Sequence, residues 1–257
     1  MKRMWTLAGL AVMAACSTAP GGTAGTAAPG APAPVQQPMP GEPAALSTSP
    51  VAAAATITGG EMRQHIAYLA SDALRGRDTP SPGLDSAAAY LVRHFQALGL
   101  RGGAEGGAFI QRYPLQPKGN LAPNVVAIFP GSDPALRNEY VVLSAHMDHV
   151  GVGRPVDGDS IYNGADDDAS GTSALLEVAQ AFASMQQRPA RSILFLGVSG
   201  EEKGLLGSEY FADNPTVPLE SMVANINIDM IGRNERDTVV VIGKNYSSLG
   251  GVVERVS

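Results

Sequence analysis

The order of apolar and polar positions divides most of this chain into alternating helices and strands. From Glu61 to Leu74 the apolar residues Met62, Ile66, Leu69 and Ala73 fall on one helical face. The polar run Leu74-Arg75-Gly76-Arg77-Asp78-Thr79-Pro80 breaks that helix as a turn. A second helix starts at Ser81-Pro82, with proline at or near its first turn. It carries Ala88, Leu91, Val92, Phe95 and Leu98 and stops at Gly99. Three strands are predicted next: a polar-alternating edge strand at Phe109–Leu115, then interior strands at Asn124–Phe129 and Tyr140–Ala145, richer in β-branched residues. An apolar run at helical spacing covers Thr172–Phe182, and an apolar strand covers Ser192–Val198. A short helix through Ser208–Phe211, strands at Met222–Ile228 and Thr238–Ile242, and a helix from Tyr246 complete the pattern. Strands alternating with helices predict an α/β fold, a three-layer αβα sandwich around a mixed, mostly parallel sheet.

The first 57 residues follow another rule. Lys2 and Arg3 precede an apolar run, Trp5–Ala15, too short to span a bilayer, and the run ends in Met13-Ala14-Ala15-Cys16. This resembles a bacterial lipoprotein signal over residues 1–16, with Cys16, the chain's single cysteine, as the lipidated residue. An ordinary secretory signal, or a buried thiol at Cys16, is the alternative. Residues 17–57 are rich in Pro, Ala, Gly, Thr and Ser and read as a disordered linker, leaving 58–257 as the folded domain. The expectation is an exported, cell-envelope protein that meets the membrane only through a lipid anchor. A net charge of -6 without a Lys/Arg-rich patch gives no footprint for nucleic acid. A single cysteine excludes an intramolecular disulfide framework.

Chemistry concentrates at the ends of the strands. His146 and Asp148 close one strand, Asp166-Asp167-Asp168 lies in the following loop, Glu201-Glu202 closes the next strand and Asp229 another. An acidic triplet alone is a solvated turn or a helix start, and a Glu pair alone is a charged helix N-terminus. Acids and an imidazole at several strand ends are harder to explain so, because ligands bind at the carboxyl ends of strands in open α/β sheets. Carboxylates brought together disfavour one another's ionised forms unless a cation compensates, and His with Asp and Glu is a zinc-like ligand set. His65 and His94, on the two early helices, read as surface or internally satisfied histidines.

The motifs Ser144-Ala145-His146-Met147-Asp148-His149, Asn163-Gly164-Ala165-Asp166-Asp167-Asp168-Ala169-Ser170-Gly171, Ser199-Gly200-Glu201-Glu202-Lys203-Gly204 and Asn227-Ile228-Asp229-Met230 occur in an order that resembles the co-catalytic di-zinc aminopeptidases of the aminopeptidase Y family. The resemblance runs from about Thr58 onward and takes in Leu74-Arg75-Gly76-Arg77. It implies the zinc-dependent exopeptidase fold and two zinc ions acting on peptide substrates. It further implies that His146 and Asp229 are terminal ligands of one zinc, that Asp167 bridges both, and that Glu202 holds the second. Glu201 would be the general base, and Asp148 would fix the His146 imidazole without binding metal. The family's second zinc takes a histidine downstream of Asp229, and this chain has none there. The fold is therefore expected to be incomplete at its C-terminus, with weak second-metal binding and little activity from this polypeptide alone. His149 reads as a loop residue near the substrate cleft, with substitution for the absent ligand as the alternative. Glutaminyl-cyclase-like acyl transfer and a non-catalytic domain of the same fold are the competing functions; amino- versus carboxypeptidase specificity and oligomeric state stay open.

Overall fold

A computed structural model of the chain describes residues 9–12, 46–116 and 119–256. Its elements are β1 (Gly9–Val12), α1 (Pro50–Ala54), α2 (Gly59–Leu69), α3 (Pro82–Ala97), β2 (Arg101–Gly102), β3 (Ile110–Pro114), β4 (Leu121–Phe129), β5 (Tyr140–His146), β6 (Val152–Val156), β7 (Asp159–Ile161), α4 (Ala169–Ala183), β8 (Ser192–Val198), α5 (Leu206–Asp213), β9 (Met222–Ile228), β10 (Val241–Ile242) and α6 (Leu249–Val256). The main sheet runs β10-β1-β9-β5-β8-β4-β2, with β3 also on β4. Its centre is parallel, β5 lying between β8 and β9. Antiparallel pairs form the flanks: β4 on β8, β2 and β3 on β4, and β10 on β1. The sheet is mixed, as expected.

Strand alternation builds the layers. Val125, Ala127 and Phe129 of β4, Leu143 and Ala145 of β5, and Ile193 and Phe195 of β8 share one core with Leu69, Leu91, Phe95 and Leu175 from the helices. The intervening residues Val126, Ile128, Val142, Leu194, Leu196 and Val198 pack on the other face with Phe211 of α5. Local chemistry sets the helix starts. Thr58 caps α2 by accepting from Glu61 N, and Ser81 caps α3 by accepting from Leu84 N, just before Pro82. Asp168 caps α4 by accepting from Gly171 N. Gly171 is required by space, since a Cβ there would lie 2.3 Å from Ile228 O. That lets α4 begin directly against the end of β9.

Four expectations are corrected. The helix read as Glu61–Leu74 ends at Leu69, and Asp72–Arg77 is a tight 3-10 segment with Arg75 and Gly76 at positive φ. A Cβ on Gly76 would lie 2.4 Å from both Gly151 O and Tyr162 O, so close approach of two backbones, not turn polarity, dictates this shape. The strand at Thr238–Ile242 shrinks to Val241–Ile242, with Val239 and Val240 exposed and nothing packed over them. The folded region also starts before residue 58. Ser49 caps α1, Ala53 is buried, and Ser47 exchanges backbone hydrogen bonds with Ser184 and Gln186. These contacts offset the ordering cost of a segment whose composition alone predicted disorder. Finally, the hairpin β6–β7 and strands β1 and β2 had no signal in the pattern. β1 falls within the apolar run read as a targeting segment and pairs in parallel with β9. Cys16 and residues 17–45 lie outside the described residues, as do 117 and 118.

His65 and His94 are buried between α2, α3 and α4. His65 Nδ1 is 2.7 Å from the Tyr90 hydroxyl and its Nε2 is 3.0 Å from Glu177 Oε1, so the ring spans three helices. His94 Nδ1 lies 3.0 Å from Tyr90 O, and its ring is 5.0 Å from that of His65. Burial disfavours the His94 imidazolium and lowers its pKa to about 4, with neighbouring His65 and Arg93 adding to the effect. The unfolded chain takes up this proton near pH 6.5 and the folded chain resists it down to about pH 4. Stability is therefore lost as pH falls across that window. His94→Gln is expected to lose less melting temperature than wild type between those pH values, measured by circular dichroism. Equal losses would remove His94 as a source of acid lability.

Candidate metal centre

The carboxyl ends of β5, β8 and β9 deliver the acids and imidazole to one corner. His146, last in β5, is buried, and its Nε2 lies 3.1 Å from Asp167 Oδ1 and 3.6 Å from Asp229 Oδ1. Asp229 follows β9 directly; its Oδ1 is buried and has no hydrogen-bond partner. Two carboxylate oxygens and an imidazole nitrogen, one oxygen lacking any donor, are donor types that suit a divalent cation. Burial disfavours a charged His146, yet Asp148, Asp167 and Asp229 outweigh it and push its pKa far above the ordinary range. Asp167 in turn is held below the usual carboxylate range, first by its hydrogen bond to His146. In chemical terms the acids call for a positive charge at this position.

A second group adjoins the first. His149 Nδ1 lies 2.6 Å from Glu202 Oε1 and 3.9 Å from Asp167 Oδ2, so His149, Asp167 and Glu202 can offer ligand atoms to one ion. Asp167 faces both groups, as a bridging ligand would. Burial, then repulsion from Asp167, raises the Glu202 pKa to about 7. His149 thus stands against the acid expected to hold the second ion, the position that the alternative reading of it as a substitute ligand requires.

Asp168 also lies within reach of His146 and Asp229, but its oxygens are already engaged. Oδ2 accepts from His146 N, and Oδ1 accepts from Gly171 N and Met230 N. It is fully buried, which raises its pKa, and it ties β5, α4 and the end of β9 together. Asp148, also fully buried, has Oδ1 3.6 Å from His146 Nδ1, too long for a hydrogen bond. The same oxygen accepts from Glu201 N at 3.3 Å, and Oδ2 accepts from the Thr79 hydroxyl at 3.0 Å. Glu201 lines a cavity of about 370 Å³ with His146, Asp229, Val198 and Phe211, and burial raises its pKa. His149 and Asp167 face a separate cavity of about 610 Å³ with Tyr162, Met230 and Arg233. The six site residues expected within this domain therefore lie in one neighbourhood.

Arg77 is the residue that motif reading passed over. Its buried guanidinium donates to the carbonyls of Met147, Leu69, Asn163 and Gly164. It joins the end of α2, the residue after His146 and the loop leading to Asp167. Burial lowers its pKa to about 10, while Asp168 and Asp148 oppose that shift, so the side chain stays charged. The Leu74–Arg77 motif was visible in the sequence, but its carbonyl partners are not encoded by any spacing.

The family model for peptidase family M28 matches residues 124–256, and the chain belongs to that family. It is 29% identical over 68% of its length to a probable zinc metalloprotease of Pyrenophora tritici-repentis, covering 41% of that protein. It is 30% identical over 68% of its length to leucine aminopeptidase 1 of Uncinocarpus reesii, covering 43% of it. The chain thus spans less than half the length of these curated relatives. Among solved structures, glutaminyl cyclase of Porphyromonas gingivalis superposes with a TM-score of 0.56 at 20% identity, covering 68% of this chain and 62% of that one. At that identity the likeness is one of fold.

Arg77→Met would leave four backbone acceptors without their donor, at about 1–3 kcal/mol for each that water cannot reach. Urea unfolding is expected to show a loss of about 3 kcal/mol or more, and Arg77→Lys only partial recovery, because an ammonium cannot span four acceptors. An unchanged midpoint would show the carbonyls to be satisfied otherwise.

Proposed function

We propose that the chain carries the catalytic centre of a zinc metallo-exopeptidase that removes N-terminal residues from peptides. One observation carries the reading: His146 Nε2 faces both Asp167 and Asp229, the buried Oδ1 of Asp229 has no hydrogen-bond partner, and Glu201 lines the same cavity as His146 and Asp229. His146 and Asp229 would hold one zinc, Glu202 the other, and Asp167 would bridge them. Bound there, the metals would supply Lewis acidity toward the scissile carbonyl and lower the pKa of water toward neutrality. Membership in family M28 and the zinc metalloprotease and aminopeptidase relatives support this assignment.

The chain's own residues have distinct tasks in this scheme. Glu201 is the general base; its carboxylate, made more basic by burial, takes the proton of the attacking water and passes it to the leaving amine. Asp148 holds the Glu201 amide and stands behind His146, so one side chain relates the base to the ligand. The apolar wall of Val198, Leu205 and Phe211 limits water around Glu201. A glutaminyl-cyclase-like reaction with one zinc is the weaker reading, because the His149, Asp167 and Glu202 group offers a second ion its ligands.

Export as a lipoprotein completes the proposal. Processing before Cys16 would remove β1 and leave the outer edge of β9 without its partner. Palmitate labelling in a bacterial host that processes lipoproteins tests it; label on the wild type and none on Cys16→Ala is expected. Label on neither would leave only plain secretion or retention.

For catalysis, Glu201→Gln in the zinc-loaded protein is expected to lower kcat on amino-acid anilides by about 100- to 10,000-fold while zinc content is retained. Activity indifferent to this change, or no zinc on the wild type, would overturn the metallopeptidase reading.

A further inference from the structure

Thr79 lies between α2 and α3 in sequence, remote from every strand-end motif, yet it is 1% exposed and sits beneath the centre. Its hydroxyl donates to Asp148 Oδ2 at 3.0 Å and accepts from Gly200 N at 3.1 Å. Asp148 Oδ1 accepts from the next amide, Glu201 N. Two successive N–H groups of the turn carrying Glu201 and Glu202 are thus held by two side chains that also hold each other. Asp148 in addition faces His146 Nδ1. The ring of contacts closes only through an atom that both donates and accepts, and a hydroxyl is the group that does so.

We infer that Thr79 is a positioning residue, fixing the Asp148 carboxylate and the Gly200-Glu201 backbone at once and so setting Glu201 and Glu202 relative to His146. The inference rests on the metallopeptidase reading. Nearby contacts lock Thr79 itself: Lys203 Nζ donates to its carbonyl and pairs with Asp78 Oδ1 at 2.8 Å, so the Glu-Glu-Lys turn grips the segment from the other side. Without the hydroxyl, Gly200 N–H and Asp148 Oδ2 each lose a buried partner, and the turn relaxes. Neighbours that orient ligands in this way typically matter about 10- to 100-fold for metal affinity or activity.

The test compares wild type, Thr79→Val and Thr79→Ser by zinc affinity against a competing chelator, by kcat and KM on amino-acid anilides, and by melting temperature. Valine keeps the shape and removes both hydrogen bonds; serine restores the hydroxyl. The expected result is an about 10- to 100-fold weaker zinc affinity and lower kcat in Thr79→Val, KM within about twofold, and recovery in Thr79→Ser. Wild-type values in Thr79→Val would overturn the inference. So would losses that serine does not recover, since the threonine would then serve only to fill space. If the valine protein does not fold, Thr79→Ala against Thr79→Ser makes the same comparison. A wild type that binds zinc but leaves the anilides intact would sink the peptidase reading alone, and zinc affinity would still decide Thr79. A wild type that binds no zinc would overturn both.

Discussion

Carboxylates do not gather in a buried corner without something to compensate their charge, and the arrangement of this protein follows from that constraint. Asp148 and Asp229 are buried just past the ends of parallel strands and Asp168 at the start of α4, with Asp167 and Glu202 beside them. Asp168 is compensated by three backbone N–H groups, and Asp148 by a hydroxyl and an amide. Asp229 and Asp167 are instead turned toward His146. The acids thus divide into those that the backbone satisfies, which fasten elements together, and those left facing an imidazole, which suit a cation.

The sheet makes that division possible. Parallel neighbours β9, β5 and β8 place their carboxyl ends side by side, so residues far apart in sequence meet within one layer. The helical layer below fixes the loops between them. α4 starts against β9 because Gly171 leaves room, and Arg77 gathers carbonyls from three separate segments. The tight turn at Gly76, which lies against the backbone of Gly151 and Tyr162, brings Arg77 and Thr79 beneath the site. A segment that looks like a linker between helices therefore serves as the floor of the centre.

The groups held by backbone and by hydroxyl give rigidity, while Glu201 and Glu202 remain only partly covered and Glu201 lines the cavity of about 370 Å³. Burial first, and then repulsion from neighbouring acids, raises their proton affinity, Glu202 to about 7. Rigid surroundings thus leave two neighbouring carboxyls, Glu201 and Glu202, only partly covered beside His146 and His149.

Much of this was determined locally and was legible in the sequence. The apolar pattern gave the two early helices, α4 and strands β4, β5, β8 and β9, because a helix buried on one side repeats every 3.6 residues and a strand buried on both faces is a short continuous apolar run. The ordered motifs pointed to His146, Asp148, Asp167, Glu201, Glu202 and Asp229, and the fold brings these six to one corner. Tertiary structure decided the rest. That α1 folds, that β1 joins the sheet, and that Arg77, Thr79 and His149 lie at the centre depend on partners 53 to 216 residues away. Hydrogen bonds from a side chain to a distant backbone leave no period and no spacing in a sequence, so only the folded chain reveals them.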